Sequence, residues 1–221
     1  MDEILRVEHL KKYFTKKGMF GKKSVTVRAT DDVSFSIKKG EVFVLAGESG
    51  SGKSTIAKLI LKSIESDSGK IFFEDHEIDD DKKNVNKIRM NCQMIHQDPY
   101  DSINPRMKIG DIISEPLEIH KVGNKKDRIK RVIEALHEVK LEPAEDIVKK
   151  YPHMLSGGQR QRVVLARALA IKPKVILADE PVSMLDVSIR AEMLELMQEL
   201  QKKYNISFIY ITHDLATARY F

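Results

Sequence analysis

One stretch of this sequence limits the possible folds more than any other. A continuous apolar run at 42–46 is followed at once by a glycine-rich segment and then by a helical pattern from Thr55. An apolar run without alternation is typical of a strand that is buried on both faces of a parallel sheet. The segment after it fits the phosphate-binding pattern G-x-x-x-x-G-K-[ST], with the residues Gly47, Glu48, Ser49, Gly50, Ser51, Gly52, Lys53, Ser54 and Thr55.

The chemistry of this segment requires these residue types. Glycine lets backbone N–H groups point inward at phosphate oxygens, and the start of the following helix adds partial positive charge. Lys53 is predicted to neutralise the β- and γ-phosphates, and the Ser54 hydroxyl is predicted to hold Mg²⁺. The sequence therefore predicts a binding site for a nucleoside triphosphate.

The rest of the chain alternates between strand and helix patterns. Residues 4–8, 25–29 and 33–37 carry apolar side chains with period two, which predicts short, half-buried strands. Continuous apolar runs recur at 175–178 and 206–211, with helical stripes between them. We therefore predict an α/β domain with a mainly parallel sheet. A mostly helical stretch at about 84–151 is predicted to be an insertion between two parts of that sheet.

Composition removes several other classes of protein. Among the 221 residues, 32% are charged and 42% hydrophobic, which is typical of a globular domain and not of a disordered chain. No apolar run approaches the roughly 18 residues that cross a bilayer. The single cysteine, Cys92, excludes an internal disulfide framework. The net charge of +5 suits a nucleotide, a nucleic acid or an acidic membrane surface and does not choose among them.

Two adjacent carboxylates, Asp179 and Glu180, follow the second buried run. An acidic residue at this place lies beside the phosphate-binding loop, so Asp179 is predicted to reach Mg²⁺ through water. Glu180 is then placed to polarise an attacking water as a general base. The alternative is that the two carboxylates cap the next helix.

A second glycine-bearing helix start lies about a hundred residues after the first, at Leu155 followed by Ser156, Gly157, Gly158 and Gln159. A helix N-terminus of this kind is suited to an anion. One chain rarely needs two such cradles for one nucleotide. We therefore expect each cradle to serve a different nucleotide across a dimer.

In the set and order of these motifs, the sequence resembles the nucleotide-binding subunit of an ATP-binding cassette (ABC) transporter. The phosphate-binding loop matches the family's Walker A motif, Leu155–Gln159 its signature motif, and Asp179 and Glu180 its Walker B motif and catalytic carboxylate. Three further matches are Gln97 for the Q-loop, the segment Ser183–Asp186 for the D-loop and His213 for the switch histidine. Tyr13 lies where the family stacks an aromatic ring on adenine, although Phe14 is an alternative.

The resemblance implies a fold and a mechanism. The implied fold is a P-loop NTPase core, at about 1–83 and 152–221, that includes an N-terminal antiparallel β subdomain. The helical subdomain is inserted at about 84–151, and 1–221 is a single domain. Two subunits are expected to sandwich two ATP molecules with Mg²⁺, the loop of one facing the signature segment of the other. The implied catalytic residues are Glu180, His213 and Gln97, the implied metal ligands Ser54, Gln97 and Asp179, and Asp186 joins the nucleotide contacts.

The resemblance extends to the oligopeptide and dipeptide importer branch, through the segments Gln97–Met107, Ile112–Leu117 and Tyr151–Met154. It implies an ATPase at the cytoplasmic face of the cell membrane, paired with a second ATPase subunit, either the same chain or a related one. Two permease subunits and, indirectly, a solute-binding protein are the other expected partners, and no nucleic acid is expected. The alternatives are import of oligosaccharides or nickel, a soluble ATPase that acts on ribosomes or nucleic acid, and a catalytically idle cassette.

Three smaller expectations complete the interpretation. Met184 stands where the family usually has a smaller residue, and we expect little effect. The sequence stops soon after His213, whereas family members continue, so we expect a fragment that lacks the C-terminal part. The apolar set Ile109, Ile112, Ile113, Leu117 and Ile119 is predicted either to line a groove for a membrane subunit or to pack the helical part internally.

Overall fold

The computed structural model describes residues 2–16 and 25–220. Its strands are β1 (Glu3–Lys16), β2 (Val25–Lys38), β3 (Val42–Ala46), β4 (Ser68–Phe73), β5 (His76–Glu77), β6 (Cys92–Ile95), β7 (Val175–Asp179) and β8 (Ser207–Thr212). Its helices are α1 (Lys53–Ile60), α2 (Lys82–Asn91), α3 (Pro99–Ser102), α4 (Ile109–Ile119), α5 (Lys125–Glu138), α6 (Ala144–Ile147), α7 (Gly157–Ala170), α8 (Val187–Tyr204) and α9 (Leu215–Ala218). A 3₁₀ turn spans Pro152–Met154.

Four parallel strands form the central sheet in the order β3-β8-β7-β6. The strand β7 shows why a continuous apolar run is needed there. Ile176 and Ala178 belong to the core cluster that contains α7 and α8 residues, whereas Val175 and Leu177 belong to the cluster on the opposite face with α1 residues. The sheet is therefore buried on both faces, and the predicted α/β fold with a mainly parallel sheet is confirmed.

A second sheet is antiparallel, in the order β2-β1-β4-β5. Its first two strands each run for 14 residues, longer than the short strands that the sequence pattern predicted. The pattern breaks because His9 and Asp32 both have positive φ, at 49° and 61°, and the pairing register shifts beside them. An irregularity of this kind changes the face to which the next side chains point, so one long strand has the sequence pattern of two short ones.

The predicted helical insertion at about 84–151 contains one strand of the central sheet. Cys92–Ile95 pair with β7 in parallel, and the helices that leave the sheet begin after Ile95. The four-residue run of β6 is too short to be distinguished from a buried helical segment by its pattern, which is why the sequence did not predict this strand. The division of 1–221 into a core and a helical part stays a prediction.

The position of helix α4 decides between the two roles predicted for its apolar residues, a groove for a membrane subunit or internal packing. Ile109, Ile112, Ile113 and Leu117 are buried in the same core cluster as α7, and only Ile119 is exposed, at 67%. Four of the five residues therefore pack the helical part internally. Across residues 2–16 and 25–220, none of the helices is both long enough and apolar enough to cross a bilayer.

Gly69 generates a test of how β4 packs against β1 within the antiparallel sheet. It has φ +95°, and a Cβ there would lie 2.6 Å from His9 O and 2.6 Å from Leu10 Cα, both of them backbone atoms of β1. We expect Gly69→Ala to lower the free energy of unfolding by about 2 kcal/mol or more, because both the dihedral and the backbone contact are strained. Thermal unfolding measures it, and the control is Lys70→Ala on the same strand, whose side chain is 57% exposed. Equal melting temperatures for the two variants would contradict the expectation.

Candidate functional site

The phosphate-binding loop lies at the carboxyl end of the central sheet. Gly47 N donates to Thr212 O at the end of β8, at 3.3 Å, which fixes the start of the loop. Gly52 ends it with φ +91°, where a Cβ would lie 1.7 Å from Ala29 O, so only glycine fits between the loop and β2. No side chain caps the start of α1 at Gly52. The first backbone N–H groups of that helix are therefore available to an anion.

Lys53 is buried within this loop. Its Nζ donates to Gly47 O and Glu48 O, both at 2.7 Å, and to Ser51 Oγ at 3.2 Å. All three partners are neutral oxygens, so the charge of the ammonium is solvated by the loop and is not neutralised. A buried cation of this kind favours an anionic ligand such as phosphate.

Ser54 and Asp179 meet beside Lys53. The Ser54 hydroxyl donates to the Asp179 carboxylate, which lowers its pKa, but burial raises the pKa more and the neighbouring Glu180 charge adds to the increase. The result is a desolvated carboxyl group beside a hydroxyl, and such oxygen atoms are the ligands that Mg²⁺ prefers. In the part of the chain that the structure describes, no group of three or more His, Cys, Asp and Glu could hold a metal alone. These residues would therefore suit a magnesium ion whose other ligands are nucleotide phosphates.

Two side chains, from the ends of the strands on either side of β7, converge on the carboxylate that follows β7. Gln97 Nε2 donates to Glu180 Oε2 at 3.0 Å, and His213 Nδ1 lies 2.6 Å from Glu180 Oε1. Gln97 follows β6, Glu180 follows β7 and His213 follows β8. Because a carboxylate only accepts hydrogen bonds, His213 carries a hydrogen on Nδ1, which leaves Nε2 for another partner. The Glu180 side chain is only 13% exposed, so it is largely shielded from solvent.

The backbone conformation of Glu180 sets the direction of its side chain. Its φ is +48°, and its N–H donates to Ile211 O at 2.9 Å while its carbonyl accepts from Ser183 N and Ser183 Oγ. A non-glycine residue adopts this conformation rarely, and here the hydrogen bonds on both sides enforce it. The turn carries the side chain away from the strand direction and toward Gln97 and His213.

The signature segment begins helix α7. Ser156 Oγ accepts from Gln159 N at 3.3 Å, and Gln159 Oε1 accepts from Ser156 N at 3.0 Å, a reciprocal capping box. A Cβ at Gly158 would lie 2.7 Å from Ile189 Cγ2 on α8, whereas one at Gly157 would meet nothing within 4 Å. Within the described ranges, no hydrogen bond or ion pair joins Ser156, Gly157, Gly158 or Gln159 to Lys53 or Glu180. The structure therefore brings the loop and the carboxylates together but not this second cradle.

Two other residues that are predicted to contact nucleotide, Asp186 and Tyr13, lie at the edges of this site. Asp186 occupies the position before α8, and its side chain makes no capping bond there. Tyr13 pairs with Arg28 across β1 and β2, next to Ala29, the residue that touches Gly52. This pairing places Tyr13 close to the phosphate-binding loop.

The Tyr13 ring is held by its neighbours. Its hydroxyl donates to Asp31, which raises the pKa of Tyr13, and its backbone N–H donates to Asp67 Oδ2 at 2.6 Å. The Arg28 guanidinium lies 5.7 Å from the ring centroid. Phe14 is exposed, with only the Lys12 ammonium over its ring at 5.7 Å. Of the two aromatic residues, Tyr13 is the one that is tethered through its hydroxyl, and the stacking role of either ring stays a prediction.

Sequence reasoning missed His96, which precedes Gln97. Burial lowers the pKa of His96, while the nearby Asp179 charge opposes that change. A polar residue directly after a buried strand was the available signal, but β6 itself was not recognised. His96 therefore adds an imidazole to the surroundings of Asp179.

Comparison with known proteins gives one family. A model described as "ABC transporter" matches residues 30–183. The chain is 45% identical over 223 residues to "Oligopeptide transport ATP-binding protein OppF" of Bacillus subtilis (strain 168), a match that covers 99% of this chain and 70% of that protein. It is 50% identical over 200 residues to the OppF protein of Streptococcus mutans serotype c, covering 90% of this chain and 64% of that protein.

Solved structures agree with this result. The chain superposes with a TM-score of 0.82 and 29% identity on a dimeric structure titled as a post-hydrolysis state of the ATP-binding cassette MJ0796 bound to ADP and Pi, covering 98% of this chain and 91% of that one. It also superposes with a TM-score of 0.80 and 31% identity on cbiO1 from Clostridium perfringens, covering 97% of this chain and 80% of that one. Both superpositions cover nearly the whole of this chain.

The raised pKa of Asp179 generates a prediction about stability. A carboxyl group whose pKa is raised by folding is costly to ionise in the folded state, so its charge lowers stability once the pH exceeds its ordinary pKa. We expect Asp179→Asn to raise the melting temperature of the ligand-free protein at pH 7.5. The gain should shrink as the pH falls through the raised pKa. Thermal unfolding at several pH values tests this, with Asp111→Asn on the start of α4 as a control. A lower melting temperature for Asp179→Asn at pH 7.5 would contradict the electrostatic explanation.

Proposed function

The chain belongs to the ABC transporter family of ATP-hydrolysing subunits, and from this membership we propose that it powers the import of peptides across the cytoplasmic membrane. The observation that carries the catalytic part is the convergence of Gln97 and His213 on Glu180 beside the phosphate-binding loop. The peptide part rests on the relatives, which are named as oligopeptide transport ATP-binding proteins. The alternatives of oligosaccharide import, nickel import and action on ribosomes or nucleic acid have no comparable support among these names.

The first step is binding of ATP by the phosphate-binding loop. Lys53 would exchange its three neutral oxygen partners for β- and γ-phosphate oxygens, and the free N–H groups at the start of α1 would bind the same phosphates. Ser54, Gln97 and Asp179 are the residues that would hold Mg²⁺, with Asp179 acting through water. When bound, this ion neutralises charge on the phosphates. Tyr13 would stack on the adenine.

The second step is hydrolysis. Glu180 accepts a proton from the attacking water and orients it in line with the γ-phosphate. Gln97 and His213 each hold one oxygen of the Glu180 carboxylate in the ligand-free state, so the group is positioned before the nucleotide arrives. The Nε2 of His213 faces away from Glu180, and with a hydrogen on both ring nitrogens it would donate to the γ-phosphate and stabilise the charge that develops in the transition state.

The third step requires a second ATPase subunit. Ser156, Gly157, Gly158 and Gln159 form a helix start that is separate from the chain's own phosphate-binding loop, so we assign them, with Asp186, to the nucleotide held by the partner subunit. A dimeric cassette is the form described for the structural relative MJ0796. Closure of this pair would drive two permease subunits, supplied with substrate by a solute-binding protein, and the chain would sit peripherally at the cytoplasmic face of the membrane.

Substitutions of Glu180 and Lys53 should affect different steps of ATP hydrolysis. We expect Glu180→Gln to lower kcat for ATP hydrolysis by about 10²–10⁴-fold, the usual contribution of a general base, while ATP affinity is retained. Lys53→Ala should instead weaken ATP binding itself, because it removes the buried cation of the loop. Steady-state hydrolysis and equilibrium titration with ATP separate the two effects. Unchanged turnover in Glu180→Gln, or unchanged affinity in Lys53→Ala, would contradict the corresponding assignment.

Partner capture tests the transport part of the proposal. The tagged chain is purified from detergent-solubilised membranes and its partners are identified by mass spectrometry. Recovery of multi-spanning permease subunits, together with peptide uptake that is lost in cells carrying Glu180→Gln, is the expected result. Recovery of ribosomal proteins without a permease would overturn it in favour of a soluble ATPase.

A further inference from the structure

Arg190 connects two loops of the hydrolytic site, although no motif in the sequence selected it. It lies on α8, one turn after Asp186, and its backbone N–H donates to Asp186 O at 2.8 Å. Its Nη2 donates to Leu185 O at 3.3 Å, and its Nη1 lies 3.5 Å from Asp214 Oδ2. One guanidinium therefore contacts the residue that precedes Asp186 and the residue that follows His213.

The loop that carries His213 is tightly fastened at Asp214. Asp214 Oδ1 accepts from Ala216 N at 2.8 Å, and Asp214 N donates to Thr212 Oγ1 at 2.9 Å. The Asp214 carbonyl accepts from Thr217 Oγ1 at 2.8 Å. With its other atoms used in this way, the second carboxylate oxygen is the one that reaches Arg190. A change at Arg190 thus acts directly on the residue next to His213.

The segment from Ser183 to Asp186 is fastened at both ends. Ser183 donates twice to Glu180 O, from its backbone N and from its hydroxyl, at 3.2 Å and 3.0 Å. The carbonyl of Leu185 is held by Arg190 at the other end. These contacts therefore form a closed ring. Glu180 is bonded to the 183–186 segment, that segment is bonded to Arg190, and Arg190 is paired with Asp214. The neighbour of Asp214, His213, contacts Glu180 and completes the ring.

The partly buried environment of Arg190 indicates that its polar contacts have a role other than packing. Its side chain is 29% exposed, and its Nε is buried without a hydrogen-bond partner. A buried unpaired donor is destabilising, so an arginine here is costly unless its other bonds are needed. A cavity of about 100 Å³ adjoins it, lined by Glu180, Ser183, His213, Asp214 and Thr217 among others. The side chain thus borders the same space as the proposed general base.

We propose that Arg190 is a positioning residue for ATP hydrolysis. It holds the 183–186 segment and the His213 loop in one arrangement, so that His213 stays on Glu180 only while that segment is in place. This inference rests on the proposed function, because it requires His213 and Glu180 to act in hydrolysis. Arg190 itself touches neither the nucleotide nor the water.

A second arginine provides a matched control. Arg162 on α7 also donates to a backbone carbonyl, Val139 O at 3.0 Å, and pairs with a carboxylate, Glu192 at 3.1 Å. Its side chain is 15% exposed, so it is at least as buried as Arg190. It joins α7 to α8 through Glu192, but its partners, Val139 and Glu192, are not residues to which we assign a role in hydrolysis. Removing it should lower stability without changing the geometry of His213.

The experiment compares Arg190→Gln, Arg190→Lys and Arg162→Gln, each in the wild-type and His213→Ala backgrounds. We expect Arg190→Gln to lower kcat about ten-fold with KM for ATP within about two-fold, since small misplacements of catalytic groups reduce rate strongly. Arg190→Lys should recover part of the loss, because it keeps the charge but not the planar fork. Arg162→Gln should lower the melting temperature and leave kcat within about two-fold. In the His213→Ala background, Arg190→Gln should change kcat by less than about two-fold, because residues that act through one another are not additive.

A spectroscopic readout makes the test independent of turnover. Imidazole ¹H–¹⁵N spectra of the seven histidines, with the His213 signals identified from His213→Ala, should show His213 shifted in Arg190→Gln and Asp214→Asn but not in Arg162→Gln. Unshifted His213 signals in folded Arg190→Gln, or equal kcat losses with and without His213, would overturn the inference. If His213→Ala alone retained full kcat, the proposed function of that residue would fail instead, which is a separate result.

Discussion

Four parallel strands pair through backbone hydrogen bonds, and the position of every proposed catalytic group depends on this pairing. The strands β6, β7 and β8 end at the same edge of the sheet, so the residues after them, Gln97, Glu180 and His213, meet although they are far apart in sequence. The strand β3 pairs with β8, and its own end places the phosphate-binding loop at that edge. Binding at the carboxyl ends of parallel strands is the general rule for open α/β sheets. Here the rule decides which side chains can act together.

Charge is concentrated at this edge at a cost to the ligand-free protein. Asp179 and Glu180 are adjacent and poorly solvated, and burial raises the pKa of Asp179. The Lys53 ammonium, whose charge acts on Asp179, is held by backbone carbonyls of the loop instead of forming a direct ion pair with either carboxylate. The opposing charges are thus kept apart across the space that a nucleotide and its metal ion would fill. A site arranged in this way gains stability from the ligand that it binds.

The signature helix is attached firmly to the same turn, although its first residues lie outside the site. Gln161 is buried on α7 and its Nε2 donates to Pro181 O at 2.6 Å, directly after Glu180. Gly158 lies so close to Ile189 on α8 that no side chain fits between them. The helix that is assigned to the partner's nucleotide is therefore in mechanical contact with the turn that carries the chain's own general base. Such contacts are a physical route by which the two sites of a dimer would influence each other.

The sequence by itself determined the parts that depend on local chemistry. The apolar run of β3, the glycine pattern of the loop and the carboxylates after β7 specify their own conformation and chemistry within a few residues, so they could be predicted, as could the parallel sheet and the family. Only the tertiary structure decided the rest. It showed that β6 joins the sheet, that the apolar face of α4 is internal, and that Glu180 lies between Gln97 and His213. It also placed Arg190 and His96 beside residues that are far away in sequence. The reason is that a strand pairing or a buried contact joins distant segments, and the pattern of either segment alone does not contain the other's position.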